Sequence, residues 1–412
     1  MTRPTTTPAA VSRRRRTVPA RMRGGFTLVE LLVVIIVLAI LAALLLPAVN
    51  SAVKTARITS VSAEVNNIAQ ALAAFKSKYG DYPPSRILLV ENGDYSSFIG
   101  NNQAVSTIDP TAPPSGDITV SQLATRSMAA MRKFFPRVNL STQGPVFPTG
   151  STVWYDFNGN ANQQTTPAPD LPYVLHGHEC LVFFLGGIPA FDASSGTYGM
   201  VGLGKDPTNP FTNPAWAIGG NRNTPLYEFN GSRLFVDPTN TSMGGANPGI
   251  PGYYDSFGNS QPGNGLTINF FAYFSAYGNS AYDPNDVNFP TEQDINLNTH
   301  VGLHFANATS FTPNPYTVTQ SVGTSSGIVT FQSPQSFQII SSGIDGLYGV
   351  GGQYLQTLTS SSTEPLPFDA RVISNIPVTF YGIPPAITGE TDNHLRTREA
   401  DNVTNFKSGK LQ

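Results

Sequence analysis

The sequence predicts an α+β protein in which one long N-terminal helix lies on an antiparallel-sheet, loop-rich head. Three observations predict it. Phe26 to Val49 is a run of 24 residues in which only Thr27 and Glu30 are polar. Beyond it, Val61, Val65, Ile68, Leu72, Phe75 and Tyr79 recur at alternating spacings of four and three, an apolar stripe along one face of a helix. From about residue 225 onward, short β-branched and aromatic runs alternate with Gly, Pro and Asn turns.

The chain has 412 residues, enough for one large or two ordinary domains, with only 12% charged residues, 38 Gly and 34 Pro. That balance suits a loop-rich, β-leaning exported product. Residues 1–25 carry seven Arg and no acid, which leaves 17 basic against 26 acidic residues in the remainder. A basic stub before an apolar span marks the cytoplasmic side of a membrane. The acidic remainder argues against non-specific nucleic-acid binding, so no nucleic-acid partner is expected. A single cysteine, Cys180, excludes an internal disulfide.

The elements follow in order. As a helix, Phe26–Val49 would measure ~36 Å, enough to cross a hydrocarbon core of ~30 Å with some tilt. It is too long for the apolar region of a cleaved secretory signal, usually about 7–15 residues. Inside it, Glu30 is the anomaly: an ionised side chain at bilayer depth costs roughly 2.5–3.5 kcal/mol. No Gly or Pro interrupts Ala48 to Tyr79, and Gly80 is a natural stop, while Pro47 should kink or loosen one turn. The expected organisation is a basic leader over 1–25, a helix over 26–80 with 26–49 in the membrane, and a head over 81–412. Within the head, 86–120 and 141–172 read as polar loops and "TVSQLATRSMAAMRKFFP" (119–136) as a helix closed by Pro136. "HGHECLVFFLGGIP" (176–189) reads as a short apolar helix stopped by Gly186-Gly187 or as a buried strand, with the helix preferred because Leu181, Phe184 and Leu185 share a face. Strands are expected in "RLFVD", "LTINFFAYFSAY", "HVGLHFA", "GIVTFQ", "SFQIIS" and "RVISNIPVTFYG".

A basic leader, then Gly25, Phe26-Thr-Leu-x-Glu30 and about twenty apolar residues containing Pro47, resembles the class III signal of type IV pilins and type II secretion pseudopilins. The resemblance implies that a prepilin peptidase cleaves between Gly25 and Phe26 and methylates the new amine. It also implies that Glu30 pairs with an N-terminal amine as copies of the chain pack into a helical filament. A carboxylate becomes tolerable where assembly supplies a cation in a low-dielectric place. Implied with this are an inner-membrane, single-pass protein with a cytoplasmic N-terminus, a periplasmic or extracellular head, and partners in secretion or pilus machinery.

"YGDYPPS" (79–85) is similar to the turn that ends the helix of major pseudopilins. "YYDSFGNS" (253–260) with "FFAYF" (270–274), "FQIISSGIDGLYGVGG" (337–352) and "READNVTNF" (398–406) resemble three further stretches of that family, in family order. Long intervening segments make this head much larger. The resemblance implies one calcium ion held between two loops, with Asp345 and Asp401 as side-chain ligands and Glu399 or Asn402 as a further one; hard oxygen donors suit that ion. The role implied is a type II secretion pseudopilin, with a type IV pilus or minor tip subunit, or a membrane-anchored binding module, as alternatives.

Other chemistry finds little footing. "HGHE" (176–179) offers two His at i and i+2, which diverge on a helix, and no second His/Cys cluster accompanies them. Cys180, beside "LVFFL", reads as a buried small hydrophobe. No G-x-S-x-G, Walker A or dinucleotide-binding context is present, and no enzyme activity is expected.

Overall fold

The computed structural model describes residues 27–105, 118–148, 150–161, 173–192, 197–212, 221–235, 249–257, 270–278, 282–287, 314–317, 331–344, 348, 351–353 and 401–407. Two compact units divide between Val53 and Lys54. The fold is α+β, as the sequence predicts.

Helix α1 runs unbroken over Leu28–Tyr79, with Pro47 inside it. Every residue from Thr27 to Arg57 is exposed. In the first unit the helix is apolar on all sides, the pattern of a segment surrounded by lipid or by its own kind. In the second unit one face is buried: Val61, Val65, Ile68, Ala71, Leu72 and Phe75. This is the predicted stripe with Ala71 added, and Tyr79 packs half-buried at its end.

The remaining elements follow in chain order. They are β1 (Ile87–Leu89), α2 (Val120–Phe134), β2 (Tyr173–Leu175), α3 (Gly177–Gly186), β3 (Pro189–Asp192), β4 (Thr197–Met200), β5 (Leu234–Phe235), β6 (Gly252–Tyr253), β7 (Ala272–Ser275), β8 (Asn314–Thr317), β9 (Phe337–Ser341), β10 (Gly351–Gln353) and β11 (Val403–Thr404). Helix α2 starts on a capping box, in which Thr119 Oγ1 accepts from the Gln122 amide and Gln122 Oε1 from the Thr119 amide. It stops just before Pro136. Helix α3 likewise lies where expected and closes at Gly187, whose amide donates to Phe183 at 2.9 Å. Its first residue must be glycine: a Cβ on Gly177 would sit 1.9 Å from the Tyr273 carbonyl. The three helices meet in an aromatic cluster where the Phe75 ring lies 5.2 Å from Phe134 and 5.6 Å from Phe184, both edge-on.

The strands do not form one sheet. Among the described residues they make four two-stranded pieces (β1·β2, β3·β4, β5·β6 and β8·β10) and one three-stranded sheet ordered β11-β9-β7. All pairs are antiparallel except β8·β10, which is parallel and irregular in register. The loops between strands are rich in Gly, Pro and Asn and cut each ladder to five residues or fewer. Two expected loops also carry core. Ile87–Leu89, within the stretch read as exposed, is a fully buried strand on α2, and Tyr155 and Phe157 are buried within the second. The runs "HVGLHFA" and "RVISNIPVTFYG" lie outside the described residues.

Candidate functional site

Two places bear the residues singled out by sequence. The first is the start of α1. Glu30 lies in its first turn, and its Oε2 accepts from the Thr27 amide and from Thr27 Oγ1, both at 2.9 Å. Thr27 Oγ1 in turn accepts from the Glu30 amide at 3.2 Å. This is a reciprocal capping box, and it satisfies two amides that a helix start otherwise leaves open. The positive end of the helix macrodipole adds to the stabilisation of a carboxylate here. Within one chain, therefore, the partner of Glu30 is Thr27. Sequence reading sought a cation and passed over Thr27, although Thr-x-x-Glu ahead of an apolar run is the sequence signature of such a box. Gly25 and Phe26 lie outside the described residues.

The second place is the β11-β9-β7 sheet. The three family-like stretches of the head converge on it. Ala272–Ser275 pairs with Phe337–Ile340, and Val403–Thr404 pairs with Ile340–Ser341 on the other edge. Tyr254 bridges Phe270, which brings "YYDSF" beside "FFAYF". Asn405 clasps β9: its Oδ1 accepts from the Ile339 amide at 2.7 Å and its Nδ2 donates to the Phe337 carbonyl at 3.2 Å.

The loops at the end of this sheet touch. Asp401 Oδ2 accepts from the Ile344 amide at 2.7 Å. Gly343, at φ +72°, lets the backbone pass so close that a Cβ there would lie 2.5 Å from the Asp401 carbonyl oxygen. Asp401 is thus placed against the loop that leads into Asp345. Asp345 and Glu399 themselves lie outside the described residues. Asn402 is buried, with Nδ2 3.4 Å from Tyr316 Oη.

Two groups escaped sequence reading, one buried and one half-buried. Asp255 is fully buried, accepts from the Phe257 amide at 3.0 Å and from Ser341 Oγ, and burial pushes its carboxyl up to about 6. Glu64, on α1, accepts from Arg233 Nη1 and Tyr253 Oη, both at 2.7 Å, while the Arg233 guanidinium stacks 4.4 Å from the Tyr253 ring. Glu64 sits beside the apolar stripe and signals nothing by itself, because its partners lie 169 and 189 residues away. The two histidines of "HGHE" are structural. His176 caps α3, where its amide donates to Glu179 Oε2 at 2.9 Å, and His178 lies under Phe270 at 4.5 Å, its basicity suppressed by burial. Cys180 is fully buried, as expected.

Among the described residues the chain has one membrane-length apolar helix, followed by an α+β head. Residues 20–46 match the family model described as the prokaryotic N-terminal methylation motif. No curated protein and no solved structure matches the chain. The chain thus carries a prepilin-type N-terminal methylation signal that leads into an N-terminal apolar helix, an arrangement consistent with a type IV pilin-like protein.

Proposed function

We propose that the chain is a structural subunit of a type II secretion pseudopilus. In this reading it is anchored once in the inner membrane, with its N-terminus cytoplasmic and its head periplasmic. The observation that carries the proposal is the methylation motif running into a helix exposed on every side from Thr27 to Arg57. Such a motif implies processing by prepilin peptidase and assembly into a pilus-like filament. Cleavage between Gly25 and Phe26 would create an amine beside Thr27. Glu30, already at the same helix start, would pair with the amine of a neighbouring copy. The secretion role is favoured over a pilus by the convergence of the three pseudopilin-like stretches on one sheet.

Calcium belongs to the same reading. Asp401 reaches across to Ile344, so the loops expected to share the ion are adjacent, and their donors are hard carboxylate and carbonyl oxygens. Asp345, Asp401 and Glu399 would hold the ion, which when bound would cross-link the two loops.

The test of assembly is cysteine cross-linking in membranes. Val33→Cys and Leu41→Cys together place thiols on the exposed apolar helix, and buried Cys180 contributes no background. An assembling subunit gives a ladder of multimers. Adding Glu30→Leu should leave a processed, membrane-bound chain and abolish the ladder. A double-Cys chain that never passes beyond dimer would make the helix a plain anchor for a binding module. A full ladder with Glu30→Leu would remove the carboxylate from the assembly contact.

A further inference from the structure

A cavity of about 290 Å³ opens between the end of α1, helix α2 and the end of β7, wholly within the second unit. It lies at the small end of the range for ligand pockets. Its charged lining comes from three elements: Asp81 and Arg86 follow α1, Arg126 and Lys133 lie on α2, and Asp286 lies on the turn Pro284–Asp286.

Two of these side chains are held in place with hydrogen-bonding capacity to spare. The Arg126 guanidinium stacks 3.6 Å from the centroid of the Tyr277 ring. Its Nη1 stands 3.6 Å from Asp283 Oδ2, an ion pair beyond hydrogen-bond reach. Asp286 is 1% exposed, and its Oδ2 accepts from Ser85 Oγ at 2.6 Å, while Ser85 Oγ accepts from the Ser275 amide at 2.8 Å. Among the described residues, Arg126 Nη1 and Asp286 Oδ1 are buried and have no hydrogen-bond partner. A buried donor or acceptor left in that state is costly, and the two residues that carry these atoms both line the cavity, which suits it to something polar.

We propose that this cavity is a binding site for a small carboxylate, held between the stacked Arg126 guanidinium and the Asp286 carboxyl. A guanidinium fixed by stacking recognises a carboxylate through charge-assisted hydrogen bonds. A carboxyl that carries its proton adds a second donor instead of a repulsive charge. Burial, and then Asp283, push Asp286 up to about 7, so it holds that proton through the mildly acidic range. The groups around it are Ser85 and Arg86 after α1, Arg126 on α2, Asp283 on its own turn and the Cys180 thiol of α3, which burial keeps protonated. Lys133 is occupied by Asp81 at 2.6 Å on the exposed side and offers little extra attraction.

Binding should therefore require the Asp286 proton, and affinity should fall about tenfold per pH unit above 7. The experiment is ligand-observed NMR on the full chain in detergent micelles. Two acids, D-glucuronate and N-acetylglycine, are titrated beside their neutral counterparts, D-glucose and N-acetylglycinamide. At least one acid should bind at pH 6, its neutral counterpart should not, and the pair that discriminates tells a sugar acid from a peptide-like one. Ala129→Trp fills the mouth from an exposed position of α2 and should abolish binding without touching the core. Arg126→Gln should weaken it tenfold or more. Asp286→Asn, which retains an N–H donor, should bind with no dependence on pH between 6 and 8. Failure of both acids to bind at any soluble concentration would overturn the proposal, as would equal binding of acid and neutral probes, or binding unaffected by Ala129→Trp.

Discussion

Asp286→Asn should make the head more stable at alkaline pH than the wild type, and the gap should close in acid. The carboxyl is 1% exposed, and in the fold it titrates at about 7, against 3.8 for the free side chain. A raised carboxyl pKa favours the fold fully below pH 3.8, and that contribution is lost as pH rises through 7. A carboxyl raised from 3.8 to about 7 corresponds to a free-energy difference on the order of 4 kcal/mol. Asparagine keeps the acceptor for Ser85 Oγ and never ionises, so the variant escapes the loss. Asp255, at about 6, destabilises in the same direction as pH rises. Buried His178, whose basicity is lowered, works in the opposite direction and costs stability as pH falls. Both groups are common to the two proteins and cancel in the difference between them. The assay is thermal unfolding of the full chain in detergent from pH 4 to 8.5, followed by the fluorescence of buried Trp154. At roughly 2 °C or less per kcal/mol for so large a head, the midpoint gap should open by ~4–8 °C between the ends of the range. A gap that stays constant with pH would refute the burial argument for Asp286.

The other predictions need less development. Gly25→Val should block processing and leave the basic leader on the membrane-bound chain; intact mass spectrometry detects the leader, and a normal mature mass would overturn the cleavage assignment. Calcium at ~100 times its Kd should add about 2.7 kcal/mol. That is a melting rise of a few degrees in wild type which Asp345→Ala should lose, whereas an equal rise in both would place the ion elsewhere. Phe75→Ala removes a fully buried ring shared with Phe134 and Phe184 and should cost ~3–5 kcal/mol in denaturant unfolding. A loss under ~1 kcal/mol would mean that the three-helix cluster is not where the head is held together.

Much of the helical architecture was readable because its causes are local. The stripe from Val61 to Phe75 repeats at the helix period, Pro136 and Gly186-Gly187 mark stops, and Phe26–Val49 is uniformly apolar. Strand identity was partly readable, since "SFQIIS" and "FFAYF" became β9 and β7. Strand pairing was not. Ile87 meets Leu175 and Ile340 meets Thr404 across long separations that no local pattern encodes. Strand β1 was missed because "ILLV" is a four-residue apolar run set within polar loop composition, too short to show a period. At the sites, Glu30 stood out because a lone acid in an apolar run is conspicuous. The pairing of Glu64 with Arg233, the burial of Asp255 and Asp286, and the contact of Asp401 with Ile344 depend on tertiary approach, which ordinary-looking polar residues do not announce.

The clasp of Asn405 on β9 bears on how the chain is made. Strand β9 waits for a residue 66 positions later before its Ile339 amide and Phe337 carbonyl are satisfied. Helix α1, synthesised first, has its buried face ready long before Tyr253 arrives to meet Glu64, 189 residues on. Ribosomes add about 5–20 residues per second. At that rate the edge of β9 waits about 3–13 s for Asn405 and Glu64 waits about 9–38 s for Tyr253, and such long-range pairings make closure slow. Such a chain calls for a holding chaperone or a translocation channel that keeps it unfolded until the far strand has arrived, and truncation ahead of Val403 should yield an aggregating product rather than a smaller folded head.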